Sequence, residues 1–213
     1  QALGRYDPSE KSRGYYTVGS AHIVWCVGHL FRMLEPEEYS QELKTWSFDT
    51  LPLPIDQFRY SLDVGSSNGR LKAGQFKAIQ SLAKMVDRFV IATDDDREGE
   101  VIGRQALEFA GWKGPVGRLI FGAVDVATFK KALANERNAE EFDGRYKEGL
   151  TRGIADFIIG MEVTRASHLA FDSGERRSLA VTAGRVQSPV INMIASRCEA
   201  ITGFVPQTYF TPF

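Results

Sequence analysis

The chain has 213 residues, of which 43% are hydrophobic and 25% charged, and its formal net charge is -1. This composition is typical of a folded protein with a buried core. Because the net charge is near zero, any nucleic-acid binding must depend on local basic clusters. Cys26 and Cys198 lie far apart without a partner motif, so the sequence supports neither a disulfide framework nor a zinc site. Two cysteines and the lack of a signal peptide fit a reducing cytoplasm. No apolar run approaches the ~20 residues that a membrane span needs, so we expect no membrane association.

The first part of the chain alternates turn-rich loops with short apolar runs. Gln1–Gly4 has the pattern of a helix end closed by glycine. Residues 15–27 predict a strand or a hairpin pair, residues 35–54 an extended excursion rich in proline, and residues 61–71 a flexible loop. From Gln75 the apolar spacing predicts an amphipathic helix that leads into the next strand.

The most informative stretch combines a short apolar run with a dense acidic turn. Residues 89–92 predict a buried strand, and a helix follows that ends at Gly111. Between them lie five acids in seven residues, Asp94, Asp95, Asp96, Glu98 and Glu100. In open α/β sheets ligands collect at the carboxyl ends of strands, and carboxylates offer the hard oxygens that Mg²⁺ prefers. Acids also favour the first turn of a helix. Five acids so close together repel one another, however, and a divalent cation is the simplest compensation.

The second part of the chain changes from mixed to helical patterns. Residues 116–121 predict another short strand, and Asp125 is placed as the N-cap of a further helix. Alternation of strands and helices predicts an α/β fold with a mainly parallel sheet and flanking helices. From Ala139 onward only helical patterns occur. We therefore predict an α/β domain over residues 1–137 and a helical segment over residues 138–213.

Two polar motifs stand out in the helical part. Arg152 and Asp156 are four residues apart, so they share one helix face, where an ordinary surface ion pair is the simpler interpretation. Arg185 and Gln187 flank the predicted start of the last helix, and free backbone N–H groups there would bind phosphate. Pro189 is tolerated in a first helical turn. The alternative for this motif is an exposed basic turn.

Four ordered blocks resemble type IA DNA topoisomerases, and among them the topoisomerase III branch. Asp94-x-Asp96-Arg97-Glu98-Gly99-Glu100 looks like the signature of the Toprim domain, which also occurs in primases, type II topoisomerases, recombination proteins and some nucleases. Its Arg-Glu-Gly-Glu continuation points to type IA. The other similar blocks are Trp25–Leu30, Arg152–Arg165 and Gly184–Pro189. The resemblance covers nearly the whole chain.

This resemblance implies a Toprim domain, with its Rossmann-like sheet, followed by an all-helical segment. It implies cleavage and rejoining of single-stranded DNA that depends on Mg²⁺ and not on ATP, by a monomer that includes the rest of a topoisomerase chain. It implies that Asp94, Asp96 and Glu98 hold the metal and that Arg97 points toward the catalytic tyrosine or the phosphate. His29 would lie near the active-site edge of the sheet. The DNA strand would be held by residues of the helical segment, Arg152, Asp156, Arg165, Arg185 and Gln187.

Two family features are missing from this sequence. The family carries a glutamate on a first strand and a nucleophilic tyrosine in a Tyr-x-Arg-Thr context, and neither occurs here. We therefore expect the chain to be a topoisomerase fragment without its first Toprim strand, and inactive by itself. A non-catalytic Toprim protein that binds DNA is the alternative. A Toprim primase or nuclease is disfavoured, because it would not be expected to carry the Arg152–Arg165 or Gly184–Pro189 blocks.

Overall fold

The computed structural model describes residues 3–171 and 181–211, so the predicted helix end at Gln1–Gly4 lies partly outside the described residues. The strands are β1 Tyr15–Val18, β2 Ala21–Val24, β3 Phe31–Met33, β4 Tyr60–Leu62, β5 Phe89–Ile91, β6 Val116–Arg118 and β7 Arg137–Asn138. The α-helices are α1 Pro36–Tyr39, α2 Gly69–Leu82, α3 Arg97–Phe109, α4 Val126–Ala134, α5 Asp143–Phe171 and α6 Gln187–Thr202. Short 3-10 helices cover Pro8–Arg13, Gln41–Lys44, Phe48–Thr50 and Ala139–Phe142.

The chain forms two compact units. The first comprises Gln1–Glu38 and Asp56–Gly153, and the second comprises Tyr39–Ile55 and Ile154–Phe213. This division differs from the predicted domains, because the proline-rich excursion belongs to the second unit and α5 contributes residues to both.

The first unit contains three small sheets. β1 and β2 form an antiparallel hairpin with Tyr15 opposite Val24, as the sequence predicts for residues 15–27. β5 pairs parallel with β6, and β7 joins β6 antiparallel. The α/β class is therefore confirmed, although within the described residues only β5 and β6 pair in parallel.

The predicted loop over residues 61–71 is wrong at both ends. β4 begins at Tyr60 and pairs antiparallel with β3, so that Phe31 lies opposite Leu62. At the other end α2 begins at Gly69, six residues before the predicted start at Gln75. A three-residue strand is too short to show a period-2 pattern, and this one is stabilised by a partner about 30 residues away in the sequence.

The core of the first unit surrounds the strand that precedes the acidic turn. Ile91 of β5 is buried with residues of β3, α2 and α3, and the cluster is Leu30, Phe31, Ile79, Ile91, Ala106 and Leu107. The predicted N-cap of α4 is confirmed, since Asp125 accepts a hydrogen bond from the Thr128 N–H at 2.9 Å. Packing of β5 against both helices fixes where the acidic turn leaves the sheet.

Candidate functional site

The acidic turn follows β5 directly and closes on itself before α3 begins. Asp96 is the N-cap of α3, and its Oδ1 accepts the N–H of Gly99 at 2.7 Å. The Thr93 hydroxyl donates to the Gly99 carbonyl, also at 2.7 Å. A Cβ on Gly99 would lie 2.3 Å from the Asp94 carbonyl oxygen, so only glycine fits this close approach. The strand, turn and helix predicted for residues 89–109 are confirmed.

Two ion pairs connect the turn to the first turns of α5, within the first unit. Arg145 of α5 donates to the Asp95 carboxylate. Arg97, at the start of α3, pairs with Glu148 of α5. The Arg97 side chain is partly exposed, so its guanidinium can exchange Glu148 for another anion without breaking buried contacts.

One acid of the turn is fully buried. The Glu100 side chain is 0% exposed, and its Oε1 lies 3.1 Å from Nε of Arg118, which is also 0% exposed. Glu100 and Asp95 therefore each have an arginine partner. The argument from repulsion among five acids is weakened accordingly, because the protein itself compensates two of these charges.

Glu98 lies beside the histidine of the Trp25–Leu30 block. Nε2 of His29 donates to Glu98 Oε1 at 2.6 Å, across 69 residues of sequence. The Glu98 side chain is 63% exposed. This contact places His29 next to the acidic turn, where the resemblance put it, rather than in the core.

The remaining acids suit Mg²⁺ in their chemistry. Asp94 has no hydrogen bond or ion pair from its carboxylate among the described residues, and Asp96 uses only Oδ1 for the cap. Both, with Glu98, supply the hard oxygen ligands that Mg²⁺ takes. In residues 3–171 and 181–211 no three acidic, histidine or cysteine side chains converge on one point. The donor set fits the ion, and these exposed side chains would have to rotate toward a common centre to enclose it.

In the second unit two of the sequence motifs meet. The Arg185 guanidinium donates to Asp156 from Nε at 2.5 Å and from Nη2 at 3.3 Å. This two-point contact raises the pKa of Arg185 and fixes the plane of its guanidinium. Gln187 is the exposed first residue of α6. The Ser188 N–H is already used by the Gly184 carbonyl at 3.0 Å, so fewer amides are free at this helix start than predicted.

Arg165 occupies a different environment from Arg185. It is 3% exposed, and Nη1 donates to the Leu43 carbonyl at 2.8 Å. Its guanidinium also lies 5.5 Å from the ring centroid of Trp46. Arg165 thus holds the excursion of residues 39–55 against α5. Arg152 lies on α5 and is half-buried.

Sequence reasoning missed several residues around the turn. Arg145 and Glu148 gave no signal, because their partners lie about 50 residues away in the sequence. Arg118, in contrast, could have been found from the sequence, because a single charge inside the apolar run Val116–Phe121 is expected to have a buried partner.

Comparison with known proteins agrees with this arrangement. Residues 8–139 match the family model described as the Toprim domain, and residues 140–212 match the one described as DNA topoisomerase. The chain belongs to the Toprim family. Its order of a Toprim domain followed by the start of a topoisomerase domain is that of the type IA topoisomerases, as the motifs predicted.

Individual relatives and one solved structure are also similar to this chain. Proteins named DNA topoisomerase 3 from Staphylococcus aureus strains USA300 and MRSA252 are each 31% identical to this chain over 205 residues. The matched region covers 95% of this chain and 27% of each relative. Full-length topoisomerase I from Thermotoga maritima has the same fold over 87% of this chain and 28% of its own, with a TM-score of 0.56 and 23% identity.

None of the helices in residues 3–171 and 181–211 combines the length and the apolar character that a membrane crossing requires.

Proposed function

We propose that this chain supplies the magnesium-binding turn and part of the DNA-binding surface of a type IA topoisomerase that cleaves and rejoins single-stranded DNA. The observation that carries the proposal is the acidic turn, which lies at the carboxyl end of β5 and in which Asp96 is the N-cap of α3. The topoisomerase match over residues 140–212 favours this function over a Toprim primase or nuclease. We propose that the reaction does not use ATP, in keeping with the type IA resemblance; these 213 residues contain no Gly-rich loop ending in Lys-Ser or Lys-Thr.

In this proposal Asp94, Asp96 and Glu98 hold Mg²⁺. When bound there, the ion would supply positive charge next to the scissile phosphate, which would favour rejoining. Arg97 lies beside these acids at the start of α3. A DNA phosphate that enters the site would compete with Glu148 for the Arg97 guanidinium, and a charge-assisted bidentate contact would favour the phosphate.

The covalent step requires a tyrosine outside these 213 residues. Its hydroxyl oxygen would attack the scissile phosphorus, so that a tyrosine–phosphate bond forms as the bond to the 3′ oxygen breaks. The tyrosine loses one proton and the departing 3′ oxygen gains one. The resulting 5′-phosphotyrosine keeps the energy of the broken bond, and the reverse attack rejoins the strand.

The helical segment contributes the proposed backbone contacts. Arg185, oriented by Asp156, is the best placed, because its side chain is exposed at the start of α6. Arg152 and Gln187 are proposed as further ligands of the DNA backbone. Arg165 would contribute by fixing the excursion of residues 39–55, since its guanidinium is bound to the Leu43 carbonyl. Such contacts do not read bases, so binding should weaken strongly with salt.

Two measurements on the full-length protein test this proposal. In the first, a single-stranded oligonucleotide is titrated at rising NaCl concentrations. Arg185→Ala should reduce the slope of log affinity against log salt by about one, with little dependence on base sequence. Lys84→Ala removes a positive charge next to α2 and should leave the slope unchanged. Equal slopes for wild type and Arg185→Ala would show that Arg185 does not contact the DNA backbone.

The second measurement asks whether the full-length protein becomes linked to DNA. Denaturing the protein during reaction should trap DNA attached through a 5′-phosphotyrosine bond. Absence of any linked product, with DNA binding intact, would favour a non-catalytic Toprim protein that binds DNA.

A further inference from the structure

The Arg118 guanidinium is densely bonded beside the acidic turn. Its Nε donates to Glu100 Oε1 at 3.1 Å. Nη1 donates to the carbonyls of Thr93 at 2.7 Å and Leu119 at 2.9 Å, and Nη2 donates to the carbonyl of Asp94 at 2.6 Å. All three nitrogens of the guanidinium are therefore used inside the protein.

These contacts join both ends of the turn to the neighbouring strand. Thr93 and Asp94 are the residues at which the chain leaves β5, Glu100 lies in the first helical turn of α3, and Arg118 ends β6. Asp94 is also one of the proposed metal ligands. A bond to its own carbonyl restrains its backbone, and thereby the direction in which its carboxylate leaves the chain.

Glu100 completes this arrangement as a counterion. It is fully buried between Arg118 and Arg104, whose Nε lies 4.0 Å from its Oε1. Both contacts fall on Oε1, and Oε2 is buried without a hydrogen-bond partner among the described residues. A carboxylate with no exposed surface is not available to a metal ion that enters from solvent. Glu100 thus differs from Asp94 and Glu98, although all belong to the same acidic run.

We infer that Arg118 is a positioning residue for the magnesium site, which acts by fixing the Thr93 and Asp94 carbonyls, and that Glu100 is its counterion and not a metal ligand. This inference rests on the proposed binding of Mg²⁺ by Asp94, Asp96 and Glu98. A planar guanidinium with five donors can hold these four groups at once, whereas a lysine ammonium at the same place, with three donors on one atom, cannot span them. Groups that orient metal ligands typically change metal affinity by about 10–100-fold when they are removed.

The test separates positioning from a purely structural ion pair. Removal of Arg118 alone would leave Glu100 buried with only the Arg104 guanidinium at 4.0 Å, which would strongly destabilise the fold whatever the role of Arg118. Replacing both partners by apolar residues of similar volume, in Glu100→Leu/Arg118→Met, avoids the uncompensated charge. Mg²⁺ affinity is measured by isothermal titration calorimetry on the full-length protein, with circular dichroism and the melting temperature recorded for each variant.

The double variant should keep the circular dichroism spectrum of wild type and stay folded at the titration temperature, but it should melt at a lower temperature because the Thr93, Asp94 and Leu119 carbonyls lose their donor. It should bind Mg²⁺ about 10–100-fold more weakly. Arg118→Lys, which keeps the charge, should also lose at least about 10-fold. Arg137→Met removes an exposed arginine of the same sheet and should leave Mg²⁺ affinity unchanged. A folded double variant that binds Mg²⁺ as tightly as wild type would overturn the inference.

Asp94→Asn and Asp96→Asn distinguish this failure from failure of the proposed function. If both single variants bind Mg²⁺ normally, the metal site itself is wrongly assigned. If both lose Mg²⁺ while the Glu100/Arg118 double variant keeps it, the site is correct and only the role of Arg118 is refuted.

Discussion

Gly99 offers the clearest prediction about the shape of the acidic turn. It lies in the first turn of α3, and replacing glycine by alanine in a helix normally increases the stability of the fold by about 0.5–1 kcal/mol. Here the added Cβ would lie 2.3 Å from the Asp94 carbonyl oxygen and 2.9 Å from the Asp94 nitrogen. Two opposing effects thus act on Gly99→Ala, and their magnitudes decide the sign.

The steric effect is the larger of the two. Real Cβ contacts stay above about 3.0 Å, so the Asp94 backbone must move by roughly 0.7 Å (3.0 − 2.3). Overpacking typically costs about 1–3 kcal/mol, and a backbone neighbour that cannot rotate away belongs at the upper end. The movement also disturbs the bond from the Gly99 N–H to Asp96, a cap worth about 1 kcal/mol. After the helix gain is subtracted, we expect a net loss of about 2–3 kcal/mol.

The assay is thermal unfolding combined with Mg²⁺ titration. A loss of about 2–3 kcal/mol lowers the melting temperature by roughly 4–12 °C in a protein of this size. Gly74→Ala is the matched control. Gly74 lies in α2, and a Cβ added there would meet no atom within 4 Å, so this variant should become slightly more stable. If Gly99→Ala were as stable as Gly74→Ala and bound Mg²⁺ normally, the described shape of the turn would be refuted.

Three further predictions concern other parts of the chain. Burial raises the pKa of Cys26 to about 11, so of the two thiols only the exposed Cys198 should react quickly with a disulfide reagent at pH 8. The Cys198→Ser variant should lose this fast phase of labelling, and a fast phase that survives would contradict the prediction. A hydrogen bond from Arg32 lowers the pKa of Glu38 from 4.5 to about 2, and Arg32→Met should return the NMR titration midpoint toward 4.5. Because the pKa of Glu38 is lower in the folded state, the Arg32–Glu38 pair stabilises the fold above pH 4.5, and this contribution is lost as the pH falls toward 2. If the titration midpoint of Glu38 were the same in Arg32→Met as in wild type, the pairing would be refuted. Arg165→Met should lower the free energy of unfolding by about 1–3 kcal/mol, because it leaves a buried carbonyl without its donor, and an unchanged melting temperature would count against this role.

Local patterns predicted the elements that depend on neighbouring residues. The hairpin of β1 and β2, the strand before the acidic turn and the N-cap at Asp125 all follow from spacing and capping within a few residues. The apolar spacing also predicted α6, although no residue of α6 is buried within the described part of the chain. A hydrophobic period identifies a helix without identifying what covers its apolar face.

Long-range contacts explain what the sequence left open. Whether an acid of the turn faces solvent or an arginine depends on residues far along the chain, such as Arg145 for Asp95 and Arg118 for Glu100. Arg165 resembles a phosphate ligand in its motif, yet its environment is set by the excursion that packs over it. Motif spacing reports which residues a family uses, and burial then determines which of them a ligand can reach.

The most direct test of the central claim is the Mg²⁺ dependence of strand rejoining by the full-length protein. Cleaved complexes are formed, Mg²⁺ is added, and recovery of intact DNA is followed for wild type, Asp96→Asn and Asp87→Asn. Asp87 precedes β5, so it is an acid at the opposite end of the same strand. We predict that wild type and Asp87→Asn rejoin the strand when Mg²⁺ is added and that Asp96→Asn does not. Equal rejoining by all three proteins would contradict a magnesium site at the acidic turn.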